Sequence, residues 1–249
     1  MRKKLFVTCA HERGPRSYQE DKYVNIVFLN SNCNCRLLAV MDGHVGSKVA
    51  DICADKIGSL FNLENAEHTE TALQNLVIDL NKVTSDCFEG STLSMACIQE
   101  DQSKVSIAIL GDSPVVVLDN SGQLHISPEH NVRSNLKERE AAIGRGGTYA
   151  QGYIFANNDF TNGLQMSRAL GDAYLGNVIS HEPEIYTINN PMWILVSSDG
   201  IFDPNHSELE TLFAEIREFA ERHASAQDIM NWAKSRGLQD NATALVWRK

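Results

Sequence analysis

The sequence predicts an α+β fold built on mainly antiparallel sheets. Strand-like segments fall into two groups, each group has its own pair of helices, and no strand–helix–strand alternation runs along the chain. The first strands lie around residues 4–9 and 23–29, and a third, Arg36–Met41, runs straight into Asp42-Gly43. Val49, Ile52, Cys53, Ile57, Leu60 and Phe61 recur at helical spacing. A second helix over 69–88 places Leu73, Leu76, Val77, Leu80 and Val83 on one face. Leu93–Ile98, Lys104–Leu110, Val115–Leu118 and Gln123–Ile126 read as consecutive short strands, the last after an Asn120-Ser121-Gly122 turn. Residues 134–143 read as helix, stopped by Gly144-Arg145-Gly146-Gly147, and 148–166 as a mixed, loop-rich stretch. Glu184–Ile188 and Met192–Ser197 are strands. Ser207-Glu208-Leu209-Glu210 is a capping box, in which serine accepts from a free amide and glutamate reaches back. Ser225 caps the next helix, Gly237 ends it, and Ala242–Trp247 closes the chain as a strand.

The chain has 249 residues, 43% of them hydrophobic and 22% charged, which fits one folded domain over 1–249 and excludes a largely disordered chain. There are 22 basic and 32 acidic side chains, a net charge of -10, which argues against a nucleic-acid partner. The same balance suits acidic groups gathered around cations. No apolar run approaches the roughly 18 residues of a membrane span. The apolar stretch Leu5–Ala10 is stopped by His11-Glu12-Arg13, short of the roughly 7–15 residues of a signal core, so it reads as a strand. Six cysteines (Cys9, Cys33, Cys35, Cys53, Cys87 and Cys97) form no disulfide framework or zinc spacing, and read as reduced thiols of a cytoplasmic protein. Delivery into another cell stays open as an alternative. No sizeable apolar strip is left over, which suits a monomer.

The chemistry shows in where the aspartates sit. Asp42 and Asp199 each end an apolar strand, Asp112 follows Ile109-Leu110-Gly111, and Asp240-Asn241 opens the final strand. In an antiparallel sheet the end of one strand lies beside the start of its neighbour, so Asp42, Asp199 and Asp240 can meet at one rim. Gathered carboxylates repel unless cations neutralise them, and an all-oxygen set selects Mg²⁺ or Mn²⁺. The competing reading is that Asp-Gly is a common turn pair.

Read in order, the segments resemble the metal-dependent protein phosphatases, the type 2C serine/threonine (PPM) family. The matching stretches are Arg16-Ser17-Tyr18-Gln19-Glu20-Asp21, Ala39-Val40-Met41-Asp42-Gly43-His44-Val45-Gly46, Gly90-Ser91-Thr92 and Leu110-Gly111-Asp112-Ser113. Gly146-Gly147, Ser167-Arg168-Ala169-Leu170-Gly171-Asp172, Ser198-Asp199-Gly200-Ile201-Phe202-Asp203 and Asp240-Asn241 complete the set. The resemblance implies a four-layer α-β-β-α sandwich with metals in a cleft at one end. It implies that Asp42 bridges two Mn²⁺ or Mg²⁺ ions, that Asp199 and Asp240 complete the first site, and that Glu20 and the Gly43 carbonyl hold the second. Asp21 supports them from behind, and Asp112 and Asp203 match ligands of a weaker third ion. Arg16 matches the phosphate-binding arginine and His44 the general acid. The implied reaction is hydrolysis of phosphoserine and phosphothreonine in a protein partner, by direct attack of a metal-bridging water and without a covalent phosphoenzyme.

Several alternatives stay open. His44 could cap the following helix, and Arg168 and Asp172 are expected to form a structural ion pair. Val45 stands where the family usually has a second glycine, and a β-branched residue tolerates positive φ poorly, so this turn is expected to differ in shape. Pro114 replaces the arginine that commonly follows Gly-Asp-Ser. Residues 131–164 correspond to a variable flap beside the cleft. The rival functions are a non-catalytic scaffold on the same fold and a phosphatase of non-protein phosphoesters. No Gly-x-x-x-x-Gly-Lys loop or Asp-x-Asp pair supports other phosphate chemistry.

Overall fold

A computed structural model describes residues 6–29, 34–63, 68–156, 159–202 and 209–249. In chain order its strands begin with β1 Phe6–Glu12, β2 Lys22–Leu29, β3 Asn34–Met41, β4 Gly43–His44 and β5 Gly90–Ser91. They continue with β6 Leu93–Gln99, β7 Lys104–Leu110, β8 Val115–Asp119, β9 Leu124–Ile126, β10 Thr148–Ala150 and β11 Tyr153–Phe155. The last are β12 Leu170–Gly171, β13 Glu184–Asn189, β14 Pro191–Ser197 and β15 Ala242–Arg248. The helices are α1 Lys48–Leu60, α2 Thr69–Thr84, α3 Leu136–Gly144, α4 Leu209–Glu221 and α5 Ala226–Ser235.

Two five-stranded antiparallel sheets, ordered β1-β15-β14-β8-β9 and β13-β7-β6-β3-β2, form the body. Strand β3 shows why they stack. Leu37, Ala39 and Met41 share a core with Val49, Cys53 and Ile57 of α1 and Leu73, Leu76 and Leu80 of α2. The intervening Leu38 and Val40 share another with Ile107, Val117, Ile194 and Leu245, which belong to both sheets. Both faces of the strand are therefore buried, and the sequence reads as a continuous apolar run rather than an alternating one. Each fully buried Leu or Val side chain contributes about 1.5–3 kcal/mol. On the far side Trp193, Leu195, Ala244 and Val246 pack on Ile216 of α4 and Ile229 and Met230 of α5. The layers are thus helix, sheet, sheet, helix, as the resemblance implied.

The elements follow their sequence signals closely. Ser225 caps α5 through a reciprocal capping box with Asp228, and Gly237 takes φ +86° beyond its end. The expected α2 is shorter, ending at Thr84, whose Oγ1 donates back to the Leu80 carbonyl; Val83 is exposed rather than on the apolar face. The first strand runs to Glu12 because its whole length pairs with β15. The stretch expected to be loop-rich contains the β10–β11 hairpin, which with α3 encloses a separate small core around Val132, Ala142, Ile154 and Leu164. The Ser207-Glu208 half of the capping box, Asp203 and Cys33 lie outside the described residues. Cys9, Cys35, Cys53, Cys87 and Cys97 are free thiols. Among the described residues no helix is long and apolar enough to cross a membrane.

Candidate active site

Register brings the sequence-predicted acids to one end of the sandwich. Lys22 at the start of β2 pairs with Met41 at the end of β3, and Ser197 at the end of β14 pairs with Ala244 near the start of β15. Glu20 and Asp21, Asp42, Asp199 and Asp240 therefore leave the sheets side by side.

Asp42 is held by the strand that follows α2. Its backbone N–H donates to Thr92 Oγ1 at 3.0 Å, and its carbonyl accepts from the Thr92 N–H at 2.9 Å. Thr92 Oγ1 also lies 2.7 Å from Ser113 Oγ, so the Gly90-Ser91-Thr92 and Gly111-Asp112-Ser113 segments are tied together behind the acid. Burial pushes the Asp42 carboxyl well above the ordinary range, and the neighbouring charges of Asp21, Asp199 and Asp112 push it further.

Asp21 is fully buried between β14 and β15. Its Oδ2 accepts from Ser198 Oγ at 2.8 Å and Thr243 Oγ1 at 2.7 Å, while Oδ1 is buried without a hydrogen-bond donor. Burial raises this carboxyl to about 6 against the pull of those two hydroxyls. Glu20 is positioned through its backbone, whose N–H donates to Asn241 Oδ1 at 2.7 Å. The Asn241 amide in turn donates to the carbonyls of Arg13 and Tyr18, shaping the loop that carries Arg16. Burial raises the Glu20 carboxyl, opposed by the charge of Arg16 and reinforced by that of Asp240.

Two glycines permit these approaches. A Cβ on Gly43 would stand 2.7 Å from the Glu20 carbonyl oxygen, and one on Gly200 would stand 1.8 Å from that of Asn241. Any side chain there would drive Asp42 away from Glu20, or Asp199 away from Asp240.

Arg16 is half-exposed, and its Nη2 donates to Asp240 Oδ2 at 2.5 Å. His44 does not cap α1, whose N-cap is Ser47. Instead its Nε2 lies 2.9 Å from both carboxylate oxygens of Asp172, a buried residue at φ +53°. The expected Arg168–Asp172 pair is therefore absent. Arg168 reaches Glu138 on α3 at 2.6 Å, where Ser167 also donates to the same carboxylate. Burial pushes the Glu138 carboxyl up, but Arg168 and Ser167 outweigh it and hold it at about 2. Asp112 accepts from Asn131 Nδ2 at 2.9 Å. Val45, where the turn was expected to differ in shape, takes a left-handed conformation at φ +65°. Pro114 uses its carbonyl to accept from the Ser197 N–H at 3.1 Å.

His130 was not singled out by sequence. It is fully buried, its Nδ1 accepts from the Gly111 N–H at 3.0 Å, and its own N–H donates to the Gly111 carbonyl. It thereby fastens the Asp112 loop to the segment around Ser167, whose N–H donates to the His130 carbonyl. Only the two-residue separation of a histidine from a proline-bearing turn (Pro128-Glu129-His130) marks it in the sequence.

The donor set is all oxygen and fits a hard divalent cation. A buried Asp42 carboxyl crowded by three others, and a buried Asp21 oxygen without a donor, both call for positive charge. Among the described residues no three acidic, histidine or cysteine side chains yet close on one point as a finished coordination shell, and Asp240 is turned to Arg16.

The model of the family described as "Protein phosphatase 2C" matches residues 13–242. The bovine "Protein phosphatase 1L" is 28% identical over 258 residues, covering 94% of this chain and 69% of its own. Two Arabidopsis thaliana relatives, "Probable protein phosphatase 2C 11" and "Probable protein phosphatase 2C 76", are 26% and 27% identical, and this chain spans 64% and 56% of their length. Among solved structures, serine-threonine phosphatase 2C from Toxoplasma gondii superposes with a TM-score of 0.73 at 17% identity, covering 98% of this chain and 94% of that one. The catalytic domain of the serine threonine protein phosphatase PstP, solved with two manganese ions, gives 0.63 at 22%, covering 98% and 97%. With a family model matched over residues 13–242, nearly the whole chain, the chain belongs to the protein phosphatase 2C family.

Proposed function

We propose that the chain is a Mn²⁺- or Mg²⁺-dependent phosphatase that hydrolyses phosphoserine and phosphothreonine monoesters in proteins. The observation that carries this reading is the crowding of Asp42 by Asp21, Asp199 and Asp112 at the end of the sandwich where Arg16 and His44 also stand. Family membership supports it, as does the manganese reported with PstP.

Asp42 would be shared by two ions, with Asp199 and Asp240 on one and Glu20 and the Gly43 carbonyl on the other. Asp112 and Asp203 offer positions for a third. When bound, such ions would supply Lewis acidity toward phosphoryl oxygens and make a water easier to deprotonate near neutral pH, and so a better nucleophile. Asp21 keeps the ligands in place through Ser198 and Thr243, which join the two strands that carry Asp199 and Asp240. The planar donors of Arg16 hold two phosphoryl oxygens and balance the charge that builds on them. His44, oriented by Asp172, gives a proton to the departing serine or threonine oxygen. The cleft needs no nucleophilic side chain.

A panel of phosphoserine and phosphothreonine peptides, set against small phosphoesters at equal Mn²⁺, tests the substrate class. Peptide kcat/KM exceeding that of the small esters supports the protein reading. The reverse order would assign the site to a non-protein ester.

A further inference from the structure

Asp21 is held by two hydroxyls, and each has a single hydrogen to give. Ser198 Oγ accepts from the Thr243 backbone N–H at 2.9 Å and donates to Asp21 Oδ2 at 2.8 Å. A peptide N–H can only donate, so the backbone settles the direction of the Ser198 bond. Thr243 Oγ1 donates to the same carboxylate oxygen at 2.7 Å. Behind this second hydroxyl stands a side chain instead, with His11 Nδ1 at 2.9 Å.

The fold aims His11 at this hydroxyl. His11 on β1 lies directly opposite Thr243 on β15, so the two side chains leave the same face of the sheet. Tyr23, on β2 of the other sheet, meets the imidazole edge-on, with ring centroids 5.4 Å apart and planes at 62°, and fixes its tilt. Burial lowers the His11 pKa, helped by the charge of Lys22 and opposed by that of Glu12. The neutral ring carries one hydrogen, on Nδ1 or on Nε2. The two choices have opposite consequences. With the hydrogen on Nδ1, the imidazole donates to Thr243, whose own hydrogen is left for Asp21. With it on Nε2, Nδ1 is an acceptor that competes with Asp21 for the threonine hydrogen. Asp21 Oδ1 is already buried without a donor, so that competition would leave the carboxylate a single hydroxyl donor.

Resting on the phosphatase reading above, we propose that His11 is a positioning residue of the metal centre, whose Nδ1–H points the Thr243 hydroxyl at Asp21. Asp21 joins the strands that carry Asp199 and Asp240, so a hydroxyl turned toward it holds those acids in place for a cation. His11 acts through Thr243 rather than at the ions. An outer donor of this kind orients the groups in front of it, and its loss is felt as weaker metal binding.

The test uses the full chain. Nitrogen-15 NMR of the histidine rings near neutral pH reads the tautomer directly, and His11 is expected to carry its hydrogen on Nδ1. A hydrogen on Nε2 overturns the inference and leaves the phosphatase reading intact. Calorimetry with Mn²⁺ reads the consequence. His11→Leu is expected to weaken binding about threefold to tenfold. His11→Asn, whose side-chain amide can donate from the place of Nδ1, should stay within about twofold of the wild type. In a Thr243→Val background, where the directed hydroxyl is gone, His11→Leu should cost less than about twofold more. Unchanged binding in His11→Leu, equal losses in the Leu and Asn variants, or the full loss persisting beside Thr243→Val each overturns the inference. Should His11→Leu fail to fold, the tautomer and the His11→Asn affinity decide. A wild-type chain that binds no Mn²⁺ overturns the phosphatase reading and this inference with it.

Discussion

The Arg16 guanidinium donates to Asp240 Oδ2 at 2.5 Å, so the arginine assigned to phosphate neutralises a carboxylate assigned to metal. A divalent ion held through Asp240 Oδ2 would compete with Arg16 for that oxygen, and its binding would free Arg16 for the phosphoryl group. The pair is half-exposed, which limits its worth to roughly 0.2–1 kcal/mol. Arg16→Ala is therefore expected to tighten Mn²⁺ binding about twofold to fivefold while kcat/KM on a phosphopeptide falls about 100-fold. Calorimetry beside steady-state kinetics checks both, and weaker Mn²⁺ binding would refute the competition.

Asp172 holds the His44 imidazole with both oxygens at 2.9 Å. A misoriented acid matters only when the leaving group needs a proton. Asp172→Asn is expected to lower turnover of a phosphothreonine peptide about 10–100-fold. p-Nitrophenyl phosphate, whose leaving oxygen is already acidic, should lose much less. Equal losses on both substrates would reduce Asp172 to a structural role.

His130 makes stability depend on pH. Burial, helped by the charge of Arg168 and opposed by that of Glu138, lowers its pKa from 6.5 to about 4, and Glu184 lies 3.6 Å from its Nε2. Between those values the unfolded chain binds the proton that the folded chain refuses. Stability is therefore full above about 6.5 and falls as pH drops through about 4, by up to about 3 kcal/mol. The raised carboxyls of Asp21, Asp42 and Glu20 act with the opposite sign in this range, so the test is a difference: in urea unfolding across pH 7 to 4, the wild type should lose up to about 3 kcal/mol relative to His130→Gln as pH falls. Parallel slopes in the two proteins would exclude His130 as its source.

Glu138 is buried and holds Arg168 across the base of the flap region. Removing it leaves a partly buried guanidinium without its carboxylate. Glu138→Ala should cost about 3 kcal/mol in urea unfolding, and adding Arg168→Leu should recover part of that loss. No recovery in the double variant would show that Glu138 acts through Ser167 instead.

These pairings also mark where the sequence stops being legible. The acids at strand ends were readable because an apolar run followed by Asp-Gly fixes both the strand and its exit, and antiparallel pairing then gathers Asp42, Asp199 and Asp240. The α+β class was readable from the grouping of strands without strand–helix–strand alternation, whereas the four layers followed from the family resemblance; the Leu37–Met41 run is covered on both faces in the fold. Arg168 and Asp172 were misjudged because their closeness in sequence suggested a local pair. Each instead finds a partner far away along the chain, Glu138 and His44, and only the packed flap and the β4–β5 ladder decide that. Val45 is a different case. Intrinsic preference argued against positive φ, but the loop is clamped by the Glu89 carboxylate, which accepts from the Lys48 N–H at 2.6 Å, and this outweighs it. Asn241 and Thr92 lay within recognised motifs, yet their work on the Arg16 loop and the Asp42 backbone appears only in three dimensions.

The most direct measurement is hydrolysis of a phosphothreonine peptide with and without Mn²⁺, with Asp199→Asn in parallel. Asp199 stands beside Asp42 and raises its pKa, so its carboxylate belongs to the charge cluster that a cation must neutralise. Turnover is expected only with Mn²⁺, and Asp199→Asn should abolish it while the variant stays folded. Metal-independent turnover, or undiminished turnover in Asp199→Asn, would contradict the metal-dependent phosphatase.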